Sequence, residues 1–199
     1  GKKRLPGFEG EWETFILGNH VKFLKTGSNS RSELSANGSI KYIHYGDIHT
    51  NDKVKINASM MGMPRISKEK VKSLSFLMDG DLIFVDASED TDGVGKSIEV
   101  SHIPDNGVVA GLHTIAARFD KTVLADGFKA YLQFCPSFKN KLRQLAAGTK
   151  VFATSREHIK AVEIRLPDTT EQTAIAKVIN DMDNEIEALE RRLEKTKQI

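Results

Sequence analysis

Leu166-Pro167-Asp168-Thr169-Thr170-Glu171-Gln172-Thr173-Ala174-Ile175 opens the stretch that decides the architecture. Beyond it, apolar residues recur at Ile175, Ile179, Met182, Ile186, Leu189 and Leu193, in steps of four, three, four, three and four. That spacing is the seam of a coiled coil, narrower than the stripe of a helix lying on a globular core. Asp168 to Glu171 forms a capping-box-like start after Pro167. A helix from Thr170 to Ile199 would run about 45 Å at 1.5 Å per residue, and its apolar seam needs a partner. The chain stops at Lys195-Thr196-Lys197-Gln198-Ile199 without a glycine stop, which suggests a helix that continues or was truncated.

Working outward, 199 residues with 39% hydrophobic content suffice for one sizeable core. The expected organisation is a globular domain over 1–167 and a pairing helix over 168–199. Net charge is +2, but eight acidic and five basic residues from Asp168 onward leave about +5 on the domain. That surplus permits nucleic-acid binding without demanding it. Cys135 is the only cysteine, so no internal disulfide can form, and no apolar run approaches a membrane span or a signal-peptide core. The expected location is the cytoplasm, with no membrane partner.

The domain reads as α+β. Phe15 to Leu24 is mostly apolar and leads into a small-residue loop at Gly27 to Ser32. Ile40 to Ile48 reads as a strand, and Ile66 to Leu77 as a short helix capped by Ser67. Leu82-Ile83-Phe84-Val85 is a continuous apolar run expected to be buried on both faces. Ile98 to Ile103 and Val108 to Phe119 read as strands, Ala125 to Cys135 and Phe138 to Leu145 as helices broken at Pro136, and Ala161 to Leu166 as the last strand.

The ordered set of motifs resembles one half of the specificity subunit of type I restriction-modification systems. It comprises Leu5-Pro6-Gly7-Phe8-Glu9-Gly10-Glu11-Trp12, then Gly80-Asp81-Leu82-Ile83-Phe84-Val85 with Ser88 and Gly95-Lys96, then Ala110-Gly111-Leu112-His113-Thr114. Gly148-Thr149, Leu166-Pro167, Glu171 to Ala176, and Asp183, Ile186 and Leu189 complete it. The resemblance spans nearly the whole chain. It implies a target recognition domain with a mostly antiparallel, strongly curved sheet, followed by one long coiled-coil spacer helix. It further implies a non-catalytic subunit without cofactors, in which domain loops read half of a bipartite double-stranded DNA site. The helix would set half-site spacing and dock methyltransferase subunits, and through them the restriction subunit. Its seam would pair with a second recognition domain's helix or with a second copy of the chain. The competing reading is an assembly module that acts through its helix and does not bind DNA.

Four basic, hydroxyl-rich loops are candidate DNA contacts: Lys25, Ser28 and Arg31 in the first, Lys53 in the second, Arg65 in the third, and Lys150 and Arg156 in the fourth. Arginine's planar fork suits guanine and phosphate. Ser88 and Lys96, in the polar segment from Asp86 to Ser97, are further candidates for a base edge or a phosphate. Each has an ordinary alternative as a solvated surface residue. Gly93-Val94-Gly95-Lys96-Ser97 invites comparison with a phosphate loop, but Asp90 stands where a glycine is needed, and β-like Ile98-Glu99-Val100 follows. The six histidines lack zinc-site spacing, so no metal is expected. Of these, His113 is the one to which the family resemblance gives a position near the DNA-facing side; the residues themselves favour a buried, hydrogen-bonded role instead. No serine-nucleophile elbow, nuclease acidic-x-Lys pair or adenine-methyltransferase Asn/Asp-Pro-Pro-Tyr/Phe box is present.

Overall fold

The computed structural model describes residues 4–60, 62–88, 93–146 and 152–198. The strands are β1 (Glu13–Ile16), β2 (Val21–Phe23), β3 (Ile40–Ile43), β4 (Lys55–Asn57), β5 (Arg65–Ile66), β6 (Leu82–Val85), β7 (Ala87–Ser88), β8 (Ser97–Ser101), β9 (Val108–Ala110), β10 (Thr114–Phe119), β11 (Phe152–Ala153) and β12 (Glu163–Leu166). The helices are α1 (Tyr45–His49), α2 (Pro136–Leu145), α3 (Arg156–Lys160) and α4 (Thr169–Lys197). The class is α+β, as expected.

Among the described residues the strands divide into four sheets. The largest has the order β2-β10-β6-β8-β4, and a second has the order β5-β3-β9. β1 with β12 and β7 with β11 form two-stranded pairs. Pairing is antiparallel except for β3 with β9 and β4 with β8. β6 lies at the centre of the large sheet, and all four of its residues are buried. This is the expected two-faced burial, reached with antiparallel neighbours on both sides. Phe84 faces a core with Leu17, Phe138 and Leu142, whereas Ile83 and Val85 face a second core with Ile43, Ile98 and Ala116.

Several local expectations need correction. The strand from Ile40 ends at Ile43, because His44 turns the chain and caps α1: its Nδ1 accepts from Gly46 N, and Asp47 accepts from His44 N at 2.9 Å. Histidine is not among the usual capping residues, so the pattern is easily read as a strand. Of the helix expected over Ile66 to Leu77, only a 3-10 turn at Lys68–Val71 forms, with Ser67 making no side-chain cap bond. Lys129–Phe134 is likewise 3-10, and Pro136 starts α2 rather than merely breaking a helix, since its missing N–H costs nothing at the first position. Val108 to Phe119 splits at Gly111 to His113, where His113 has φ +57°.

The motif residues act largely as girders. Asp81, nearly fully buried, accepts from Arg118 Nε at 2.8 Å and Nη2 at 2.6 Å, and from Met78 N at 2.7 Å. Gln172 sews the root of α4 to the domain. Its Nε2 donates to Val123 O at 2.8 Å and Pro167 O at 2.9 Å, and its Oε1 accepts from Ala125 N at 2.9 Å. Asp168 caps α4 by accepting from Glu171 N. The side chain of Glu171, 1% exposed, turns instead to Arg4, whose Nε donates at 2.9 Å. Further along, Tyr131 faces Asp183, and Lys53 pairs with Glu187 at 2.7 Å. Beyond that point α4 leaves the domain.

Candidate nucleic-acid interface

The loop carrying Ser28 and Arg31 is held firmly. The buried phenol of Tyr42 accepts from Asn29 N at 3.1 Å and donates to Asn29 O at 3.2 Å. Glu33 accepts from Ser30 N and Asn29 Nδ2, both at 2.9 Å, and from Lys70 at 3.2 Å. The Ser30 N–H, followed by the Asn29 and Lys70 side chains, lowers the Glu33 carboxyl to about 2. Arg31, 57% exposed, pairs with Asp47 of α1 at 2.6 Å. Arg31 and Arg65 line one shallow pocket of about 380 Å³ together with Leu34, Ser35 and Pro64. Two of the four basic loops therefore meet. The neighbouring loop is anchored by Lys41, which donates to Ala58 O at 2.7 Å and Met60 O at 2.8 Å. Burial, followed by the charge of Arg65, pushes the Lys41 ammonium below its ordinary value.

Lys25 and Arg156 form a second group. The backbone of Lys25 exchanges hydrogen bonds with Ser75. Arg156 Nη2 donates to Leu24 O at 3.2 Å, and its guanidinium lies 5.8 Å from the Phe23 ring centre. Lys150 lies outside the described residues. Lys53 and Lys96 form a third group around a pocket of about 250 Å³ that also includes Lys139. Lys96 Nζ donates to His49 O at 2.5 Å. Ser97 opens β8 rather than a helix, so the segment lacks the phosphate-cradling N-terminus of a nucleotide loop. Ser28 is exposed, as a DNA contact must be. Ser88 is a correction: at 4% exposure within the β7–β11 pair, its hydroxyl is not presented at the surface.

The connecting element is α1, most of whose residues fall within the stretch from Ile40 to Ile48 that the sequence pattern predicts as strand. Its first turn holds Asp47 against Arg31, and its last residue, His49, receives Lys96. Tyr45 packs edge-on against His113, with ring centres 5.8 Å apart and an interplanar angle of 87°. His113 Nδ1 lies 3.3 Å from Asp86 Oδ2, and Asp86 O accepts from Thr154 N at 2.7 Å, two residues before Arg156. A chain of contacts thus runs from Arg65 through Arg31, α1 and His113 to the loop bearing Arg156. His113 also needs correction, because its side chain is 57% exposed rather than buried. His44 is buried and its pKa is lowered, chiefly by desolvation; this matches its role as an acceptor for Gly46 N–H. His44, Tyr45, Asp47 and Asp86 were missed as site residues. The His44-x-x-Asp47 spacing, read as a cap, was the signal available for three of them.

On α4, Ile175 and Ile179 line a depression with Leu5, Trp12 and Arg4. Met182, Ile186, Leu189 and Leu193 are each more than half exposed, so the outer seam is unpartnered in this chain. Among the described residues no group of three His, Cys, Asp or Glu side chains is placed to hold a metal, and no helix is long and apolar enough to cross a membrane.

The model of a family described as Type I restriction modification DNA specificity domain matches residues 9–198. Among solved structures, the HsdS subunit from Thermoanaerobacter tengcongensis superposes with a TM-score of 0.59 at 16% identity, over 94% of this chain and 41% of that one. A chain from work on complex assembly and conformational transition of the type I R-M system gives 0.62 at 16% identity, over 96% and 43%. The type I restriction-modification S subunit from M. genitalium gives 0.56 at 14% identity, over 94% and 43%. These likenesses establish the fold, and the chain spans less than half the length of each of these chains.

Proposed function

Because the chain belongs to the type I restriction-modification DNA specificity domain family, we propose that it is a non-catalytic DNA-reading unit for one half of a bipartite site. In this reading, loops around α1 bear on double-stranded DNA. Lys25, Ser28, Arg31, Arg65, Lys96 and Arg156 supply phosphate or base contacts. Lys53, already paired with Glu187, serves chiefly to steady α4 against the domain. The outer seam of α4 pairs with a second recognition domain's helix or with a second copy of the chain, and thereby fixes the distance between half-sites. Methyltransferase subunits dock on the paired helices and bring the restriction subunit with them, in the cytoplasm.

One observation carries this reading. A helix buried at its root and bearing an exposed apolar seam along its free length is fixed to a domain whose arginine-bearing loops are linked through one short helix. A cation-bearing surface of this kind draws DNA by releasing counterions, and a rigid arm turns two such surfaces into a spacing gauge. Selection from a pool of random duplexes by the chain assembled with its modification subunits tests the proposal. Enrichment of two short conserved blocks separated by a fixed unread spacer is expected. Failure to enrich any sequence, with the assembly intact, would favour the alternative of an assembly module acting through its helix.

A further inference from the structure

Resting on the DNA-reading proposal above, we infer that His113 is a specificity-determining residue that reads an exocyclic amino group, of adenine or cytosine, at one base pair. In this inference Asp86 acts as its positioning residue.

The turn that carries His113 is locked on both sides. A Cβ on Gly111 would fall 1.9 Å from Tyr42 Cε1, Leu112 N donates to Tyr42 Oη at 3.2 Å, and Thr114 Oγ1 donates to Gly111 O at 2.6 Å. Thr114 then enters β10 opposite Val85. Within this rigid turn His113 takes φ +57°, a conformation that disfavours a side chain bearing a Cβ, and yet the side chain is 57% exposed. Glycine would serve the turn better, so the imidazole is kept for something other than the fold.

Its orientation is set by two neighbours. A carboxylate only accepts, so the hydrogen between His113 Nδ1 and Asp86 Oδ2 belongs to the ring, and Nε2 is left as the acceptor of the neutral imidazole. Nε2 has no hydrogen-bond partner among the described residues. Tyr45 stands edge-on against the ring and restricts its rotation. Asp86 Oδ1, the other oxygen of the carboxylate that meets the ring, is buried without a hydrogen-bond partner among the described residues. In the major groove an acceptor of this kind matches the N6 amino group of adenine or the N4 amino group of cytosine.

The test repeats the random-duplex selection, using the assembled complex, with His113→Gly and Asp86→Asn. Glycine adopts φ +57° freely, so His113→Gly folds, and its thermal midpoint equals or exceeds that of the unaltered chain. At one position His113→Gly should lose an adenine or cytosine preference of about five- to hundredfold, while every other position keeps its preference. Asp86→Asn should weaken preference at that same position only. An unchanged selected sequence with His113→Gly, or a uniform weakening across all positions, overturns the inference and leaves the DNA-reading proposal standing. If the unaltered chain enriches no sequence, both fall.

Discussion

At the scale of single residues, the chain separates groups that hold loops from groups that the loops present. Tyr42 is the clearest holder: its phenol joins the Asn29 loop to the Leu112 turn, and its ring fills the space a Gly111 side chain would need. Gly111→Ala should cost about 3 kcal/mol through this overlap with a buried ring, read as a lowered midpoint in chemical denaturation. Arg31 is presented: it is exposed, and Asp47 fixes its direction. Arg31→Ala in the assembled complex should weaken duplex binding by about 1 to 3 kcal/mol, measured over a series of salt concentrations. An unchanged salt slope would assign Arg31 to a base, and a slope reduced by about one would assign it to a phosphate. Unaltered affinity would remove it from the interface. Much of this was legible in the sequence, since Arg31, Arg65 and Arg156 stand out by residue type. Asp86 and Tyr45 did not, because their roles come from contacts between residues 27 and 68 positions away, which spacing does not encode.

At the scale of elements, strong apolar periodicity was readable and cap chemistry was not. Leu82 to Val85 and the α4 seam follow from pattern alone, whereas α1 starts at a histidine cap that no propensity rule favours. The pattern over Ile66 to Leu77 and Ala125 to Cys135 reads as helix, whereas only short 3-10 turns form at Lys68–Val71 and Lys129–Phe134. α4 itself has two parts, a root held by Gln172 and an arm with an exposed seam. Gln172→Ala removes three buried hydrogen bonds and strands Ala125 N–H; it should destabilise the domain by about 2 to 3 kcal/mol, seen as a lower melting point. Ile186→Asp lies on the arm and should leave that melting point unchanged while abolishing helix pairing, because pairing would bury an uncompensated charge. Light scattering over a concentration series reads the second effect. A mass unaffected by Ile186→Asp, in a chain that does associate, would place the contact elsewhere.

At the scale of the whole molecule, the resemblance read from scattered motifs and the family match over residues 9–198 describe the same unit. The motif residues Asp81, Glu171 and Gln172 prove to be buried girders, whereas His113, from the same set of motifs, is exposed on a turn that the frame holds in place. The central claim is that this frame holds a reading surface at a fixed distance from a second one. α4 touches the domain as far as Glu187, so an insertion beyond Ala188 lengthens the arm without disturbing its root. Seven added residues preserve the seam and extend the helix by about 10 Å, roughly three base pairs of duplex. The measurement is the recognised DNA site of the assembled complex, with and without this insertion. Unchanged half-site sequences separated by a spacer about three base pairs longer is the predicted result, and an unaltered spacer would contradict the account.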